Sequence, residues 1–349
     1  MELNLAFIGF GSVARAFARM LGERQKSLAD EYGLRWKTTA IATANHGCIT
    51  SNAGIDLLEA VACVERGRSL AELPKSIIAT DPIAVIENCR ADILFETTPL
   101  NADDGEPAVD FIGRALARGL HVVTANKGPI AFAYSDLRSL AATRGVRFLF
   151  EGTVMDGTPI FNLAEYCLPG VRVLGFSGVL NSTTNLILTG MESGRSFEES
   201  LVEAQRLGIA EANADYDIDG WDAAVKAVAL ANVLMNADAR PADVAREGIR
   251  KVTVKDLESA AASGMVIRLI ARGQRSGDVV KLSVNPERVP LSSALGSVRG
   301  TSNVLVLDTD LMGEIAIVEN DPGIEQTAYA LLSDMIRIRE SARRTNPRL

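Results

Sequence analysis

The first fourteen residues constrain the fold most. Leu3 to Phe10 is an apolar run with one Asn, and Gly9-Phe-Gly-Ser-Val-Ala14 leads from it into a helical pattern over Val13 to Leu28. A G-x-G-x-x-A turn between a strand and a helix is the fingerprint of a dinucleotide-binding unit. The first glycine makes the turn, the second lets the backbone approach a pyrophosphate, and the small third residue lets helix and strand pack closely. Unpaired N–H groups at the helix start then hold the anion. Gly9, Phe10, Gly11, Ser12 and Val13 are therefore candidate coenzyme contacts. A plain turn is the competing reading, and the position between a strand and a helix weighs against it.

The second strand, Trp36 to Thr43, runs into Ala-Asn-His46. An NAD-preferring site places an acid there to bind both ribose hydroxyls. No carboxylate is present, so Thr43 occupies the neighbourhood and the repulsion of a 2′-phosphate is removed. Arg66 and Arg68, in Glu-Arg-Gly-Arg-Ser, are candidates to bind that phosphate; two solvated surface arginines are the alternative. NADP is expected to be used at least as well as NAD. Ala91 to Glu96 reads as a buried strand entering Thr97-Thr98-Pro99, and His121-Val-Val-Thr-Ala-Asn-Lys127 as a strand whose carboxyl end carries a lysine. Carboxyl ends of strands in an open parallel sheet face the ligand crevice, which marks Lys127.

After a helix over Ala131 to Arg144 and a strand over Arg147 to Phe150, Glu151-Gly-Thr-Val-Met-Asp-Gly-Thr-Pro-Ile160 breaks the alternation. The reading is an α/β chain: an N-terminal Rossmann dinucleotide-binding domain over 1–150 and an α+β substrate and dimerisation domain over 151–323. A final helix, about 324–340, is expected to pack back on the first domain, and Thr345 to Leu349 to fray.

Glu211 to Lys226 gathers five carboxylates, Glu211, Asp215, Asp217, Asp219 and Asp222, around Gly220. Trp221 onward is rich in helix formers, so Asp219 is expected to be its N-cap. Asp222 and Lys226 then share a face at i,i+4. Such pairs are common on solvated helices, but Ala227-Val-Ala-Leu-Ala continues with no polar residue, which points to a buried helix. A lysine kept on a buried helix needs a partner or a task.

Composition narrows the chemistry. A formal net charge of -8 without a basic cluster argues against nucleic acid, and no apolar run reaches the ~18 residues of a membrane span. Four scattered cysteines without metal-like spacing suit reduced thiols in a cytoplasmic protein. With two histidines, His46 and His121, a zinc site or a histidine base is disfavoured, and proton transfer falls to lysine or carboxylate.

Several stretches coincide with one family. Through Gly9 to Ala14, Val122-Val-Thr-Ala-Asn-Lys-Gly-Pro129, Glu151 to Pro159, Gly178-Val-Leu-Asn-Ser-Thr-Thr-Asn185 and Gly208 to Lys226, the chain resembles the short homoserine dehydrogenases over nearly its whole length. The resemblance implies reversible oxidation of L-homoserine to L-aspartate 4-semialdehyde, a step toward threonine and methionine. It implies that Glu211 and Asp217 bind the substrate amine and hydroxyl region, that Asn181 and Thr183 contact substrate, and that Asp222 and Lys226 flank the reacting hydroxyl. Thr97, Thr98 and Asn126 would line the nicotinamide side, with Lys127 sharing proton transfer. It further implies a structural sodium or potassium ion on the carbonyls of Glu151, Val154, Asp156 and Thr158, and a homodimer. Few residues follow the last helix, so no separate threonine-binding regulatory module is expected. Met155, Asp156, Ser182 and the stretch Asp321 to Gly323 depart from the family pattern. A dehydrogenase for another small hydroxy or carbonyl compound, and a nucleotide-binding protein without turnover, stay as alternatives.

Overall fold

The computed structural model describes residues 2–345, so the expected fraying of Thr345 to Leu349 falls, beyond Thr345, outside the described residues. The chain divides into two units, residues 1–158 with 323–349, and residues 159–322.

The first unit begins with β1 (Glu2–Ile8), α1 (Ser12–Tyr32), β2 (Arg35–Ala42), β3 (Cys48–Ile55), α2 (Leu57–Glu65), β4 (Ile77–Ala79) and α3 (Pro82–Asn88). It continues through β5 (Ile93–Glu96), α4 (Ala108–Ala117), β6 (His121–Thr124), α5 (Gly128–Arg144) and β7 (Phe148–Leu149). Its sheet has the order β4-β3-β2-β1-β5-β6-β7. Strands β2, β1, β5, β6 and β7 are parallel, as the Rossmann reading requires. β3 pairs antiparallel with β2, and β4 antiparallel with β3. The sequence reading did not anticipate them, because β3 mixes Ser51, Asn52 and Gly54 with its apolar residues and β4 exposes both Ile77 and Ile78. The order reverses at β1, between β2 and β5, and an open sheet takes its ligand outside the carboxyl ends at such a point.

Apolar β1 and α1 meet in an aromatic core, where Phe95 lies 5.1 Å from Phe7 and 4.8 Å from Phe17 between ring centroids. Each such side chain stabilises the fold by about 2 kcal/mol when fully buried. α1 stops at Gly33, whose left-handed φ of 59° closes the helix.

The second unit contains β8 (Val173–Val179), α6 (Ser182–Glu192), α7 (Phe197–Arg206), α8 (Asp215–Ile218), α9 (Trp221–Met235), β9 (Ala245–Arg246) and α10 (Val254–Ala261). Then come β10 (Met265–Ser276), β11 (Val279–Pro290), α11 (Ala294–Ser297), β12 (Asn303–Thr309) and β13 (Gly313–Glu319). The six strands lie in the order β13-β12-β8-β10-β11-β9. Helix α9 packs on β10 and β11 with Ala223 to Val225 and Ala227 to Ala231 essentially without exposure, which explains why its sequence is Ala- and Val-rich on every side.

The last helix, α12 (Ile324–Thr345), belongs to the first unit. Its Ala328, Leu331, Leu332, Met335 and Ile338 join the core of Ala14, Phe17 and Leu21. The stretch Glu151 to Thr158 lies against this helix. Any side chain at Gly157 would overlap the Gln326 carbonyl. Buried Asp334 accepts the Glu151 N–H at 3.1 Å, and the Thr327 hydroxyl donates to Asp156 Oδ1 at 2.6 Å. Asp156, one of the departures from the family pattern, thus supplies an anchor for α12. No helix among the described residues is long and apolar enough to cross a membrane.

Candidate active site

In the first unit, Gly9 has φ +86 and sits tightly against the loop after β5: its carbonyl accepts the Thr97 hydroxyl at 3.0 Å. Phe10 is buried edge-on against Phe7. Gly11 is the N-cap of α1, with no side-chain cap and no acid in the first turn. Nothing lies within 4 Å of where a Cβ on Gly11 would stand. Ser12 and Val13 open the helix. Uncapped N–H groups beneath open space suit a pyrophosphate, so the residues present fit a dinucleotide.

The coenzyme-selecting region differs from the expectation in detail. Strand β2 ends at Ala42, and Thr43 belongs to the following turn, its hydroxyl donating to the Gly47 carbonyl at 3.0 Å and accepting the His46 N–H at 2.8 Å. His46 Nδ1 lies 2.9 Å from the Arg68 carbonyl, which sets the Arg66 to Arg68 loop beside this turn. The Arg68 guanidinium, however, is occupied by Glu72, with Nε to Oε2 at 2.8 Å. Arg66 is exposed at the C-cap of α2.

At the carboxyl ends of β5 and β6 the structure brings together Thr98, Asn126 and a residue that sequence reasoning passed over. Glu96 is fully buried and accepts the Thr98 N–H at 2.8 Å, the Thr98 hydroxyl, and the Thr124 hydroxyl at 2.7 Å. Burial pushes its pKa up against the pull of these donors. The signal available was a glutamate closing an otherwise apolar strand. Lys127 follows as the N-cap of α5.

In the second unit the acidic segment folds as α8, a turn, and α9. Asp222 and Lys226 are paired, with Lys226 Nζ at 3.3 Å from Asp222 Oδ2 and donating to the Leu180 carbonyl at 2.6 Å. The side-chain amide of Asn181 gives one hydrogen to Asp217 Oδ1 at 2.8 Å and the other to Asp222 Oδ2 at 3.0 Å. Its carbonyl caps α6 through the Thr184 N–H at 2.8 Å, which fixes the amide orientation. Two carboxylates against one ammonium leave this cluster with a net charge of about −1, so it attracts a cation. Burial, then the negative charge of Asp222, push the pKa of Asp217 up, while Asn181, Thr183 and Lys226 oppose the shift. Thr183 is buried and its hydroxyl donates to the Ile209 carbonyl at 3.3 Å. Glu211 is exposed nearby in sequence, its carbonyl accepting from Gln205.

One expectation is overturned. Asp219 does not cap α9; Gly220 does, in the left-handed region without a side-chain cap. Asp219 instead pairs with Arg250, which also takes Asp215, so the two outer carboxylates are neutralised and Asp217 between them faces Asn181. Ser182 donates to the Thr301 carbonyl and accepts from Asn303, a structural use of the residue that departs from the family pattern.

Comparison with known proteins identifies the family. Residues 9–151 match the homoserine dehydrogenase NAD-binding domain family and residues 159–336 the homoserine dehydrogenase family. The chain is 38% identical over 344 residues to an NAD(+)-dependent homoserine dehydrogenase of Pseudomonas canavaninivorans, covering 98% of each. It is also 38% identical to a homoserine dehydrogenase of Methanocaldococcus jannaschii, covering 98% of this chain and 100% of that one. A hyperthermophilic archaeal homoserine dehydrogenase in complex with NADPH superimposes with a TM-score of 0.83 at 30% identity, covering 98% of both chains. With both family models and near full-length relatives in agreement, the chain belongs to the homoserine dehydrogenase family of NAD(P)-dependent oxidoreductases.

Proposed function

We propose that the chain interconverts L-homoserine and L-aspartate 4-semialdehyde, with Lys226 and Lys127 moving the hydroxyl proton. The observation that carries this reading is the Asn181 amide bridging Asp217 and Asp222 beside the Lys226 ammonium. The cluster has acid to spare for a substrate ammonium and a lysine for an alcohol. When bound, the nicotinamide takes or gives the hydride. Asp217, with Glu211, pairs with the substrate ammonium; Asp222 orients Lys226; Lys226, once its ammonium has lost a proton, takes the hydroxyl proton during oxidation and returns it on reduction. Asn181 and Thr183 fix the start of α6 against this cluster and contact the substrate.

Asp217→Asn separates binding from chemistry. Its amide oxygen keeps the Asn181 bond while the charge is lost, so KM for homoserine rises more than kcat falls. The raised pKa adds a stability signature. A carboxyl whose folded pKa exceeds its unfolded pKa destabilises the fold as pH climbs from the unfolded value through the folded one. Ligand-free Asp217→Asn should therefore melt higher than the parent above the ordinary carboxylate range, with the advantage vanishing in acid. A lower melting temperature at neutral pH would count against the assignment.

For the coenzyme we propose that NADP is used at least as well as NAD, since no carboxylate follows β2 and the Arg66 to Arg68 loop lies beside Thr43. The Glu72 pair must yield for Arg68 to take a 2′-phosphate, so discrimination stays at about 1 to 3 kcal/mol. Comparing kcat/KM for both coenzymes tests this; a strong NAD preference would refute it.

A sodium or potassium ion on the carbonyls of Glu151, Val154, Asp156 and Thr158 is proposed as support, favoured by the burial of Val154 and the left-handed turn at Asp156. The homodimer is proposed likewise. Edge strand β13 exposes Val318, and its hairpin tip exposes Leu311 and Met312. Buried, unbridged cysteines Cys48, Cys63 and Cys89 favour a cytoplasmic setting.

A further inference from the structure

Glu96 ends β5 and faces Thr124, its register partner at the end of neighbouring β6. One of its oxygens receives both the N–H and the hydroxyl of Thr98, and the other receives the hydroxyl of Thr124. Thr124 Oγ in turn accepts the Asn126 N–H at 2.9 Å. The Asn126 side-chain carbonyl accepts the Gly128 N–H at 2.9 Å, which sets the start of α5. A single buried carboxyl thus organises the loops that follow two adjacent strands. The β-ladder between those strands is formed by backbone pairing and needs no such group. An apolar residue of similar volume would fill the space without the cost of burying a carboxyl, so the position serves something other than packing.

The direction of the bonds is informative. With Glu96 as the carboxylate, each threonine hydroxyl spends its proton on it, which leaves Thr98 Oγ only lone pairs to offer. A carboxamide N–H2 is the group that such an acceptor suits. We infer that Glu96 is a positioning residue for the nicotinamide end of the coenzyme: it holds Thr98 as a hydrogen-bond acceptor and Asn126 in fixed orientation for the carboxamide. The inference rests on the reading of these loops as the nicotinamide side.

Binding of NADPH and of 2′-phospho-ADP-ribose, which lacks the nicotinamide, tests it on the full-length protein. Glu96→Gln places an N–H2 where an acceptor stood and turns the Thr98 hydroxyl outward as a donor. The Kd for NADPH should rise about tenfold or more while that for 2′-phospho-ADP-ribose changes less than about twofold. Turnover with homoserine should fall with it. A parallel loss of both ligands, or no loss of either, would overturn the role. If Glu96→Gln fails to fold, Thr98→Val removes the acceptor and leaves the carboxyl; the same selective loss of NADPH is expected, and an equal loss of both ligands overturns the inference. Should the parent protein bind the two ligands equally tightly, the nicotinamide makes no contact here. The reading beneath the inference then fails, and the inference with it.

Discussion

Lys226→Ala is expected to lower kcat for homoserine oxidation by about 10²-fold or more while coenzyme affinity stays intact. The side chain leaves the largely buried helix α9 and is held by Asp222 at 3.3 Å and the Leu180 carbonyl at 2.6 Å. Removing the ammonium also leaves two carboxylates sharing one amide, so substrate binding suffers as well. Lys226→Arg separates these effects. A guanidinium keeps the positive charge beside Asp222 but does not lose its proton at any working pH, so turnover should stay low while binding recovers. Lys127→Ala should cost a similar factor. Near-normal rates in both alanine variants would remove the lysines from the mechanism.

The second large effect is expected at Gly9. With φ +86, an added Cβ would stand 2.7 Å from both the carbon and the oxygen of the Thr97 carbonyl and 2.8 Å from the Thr98 N. These are backbone atoms that cannot rotate aside, so Gly9→Ala must push the whole loop after β5. The left-handed backbone costs about 1 kcal/mol and the overlap about 1 to 3 kcal/mol more. Thermal unfolding should show this loss, and coenzyme Kd should rise with it because the displaced loop carries Thr97 and Thr98. Gly11→Ala is the contrast, since its Cβ would meet nothing within 4 Å in the protein. That variant should melt normally and lose affinity only through contact with the coenzyme. Equal melting temperatures for Gly9→Ala and the parent would show that the loop yields more easily than its backbone contacts imply.

What was legible in the sequence depended on whether the signal was local. The strand-to-helix turn at Gly9 and the Asp222–Lys226 pair follow from spacing alone, because a turn needs a glycine and residues four apart on a helix are neighbours. Burial of α9 followed from its unbroken run of small apolar residues. By contrast, the Asn181 bridge joins residues 36 and 41 positions apart, which no local pattern reports. Asp219 had the right chemistry for a helix cap, but Arg250, 31 positions away, outcompeted the helix end for it. Arg68 was visible as a candidate for phosphate, whereas its pairing with Glu72 depends on the short helical turn at Leu70 to Glu72, which was not anticipated. Glu96 stayed hidden because its role depends on Thr124 at the end of neighbouring β6, 28 positions away, as well as on Thr98 in the loop after β5.

The most direct test of the account is the initial rate of NADP+ or NAD+ reduction against L-homoserine concentration. Saturable reduction that requires homoserine, and that runs backward with L-aspartate 4-semialdehyde and reduced coenzyme, is the predicted result. Coenzyme that binds but is neither reduced by homoserine nor oxidised by the semialdehyde would contradict it.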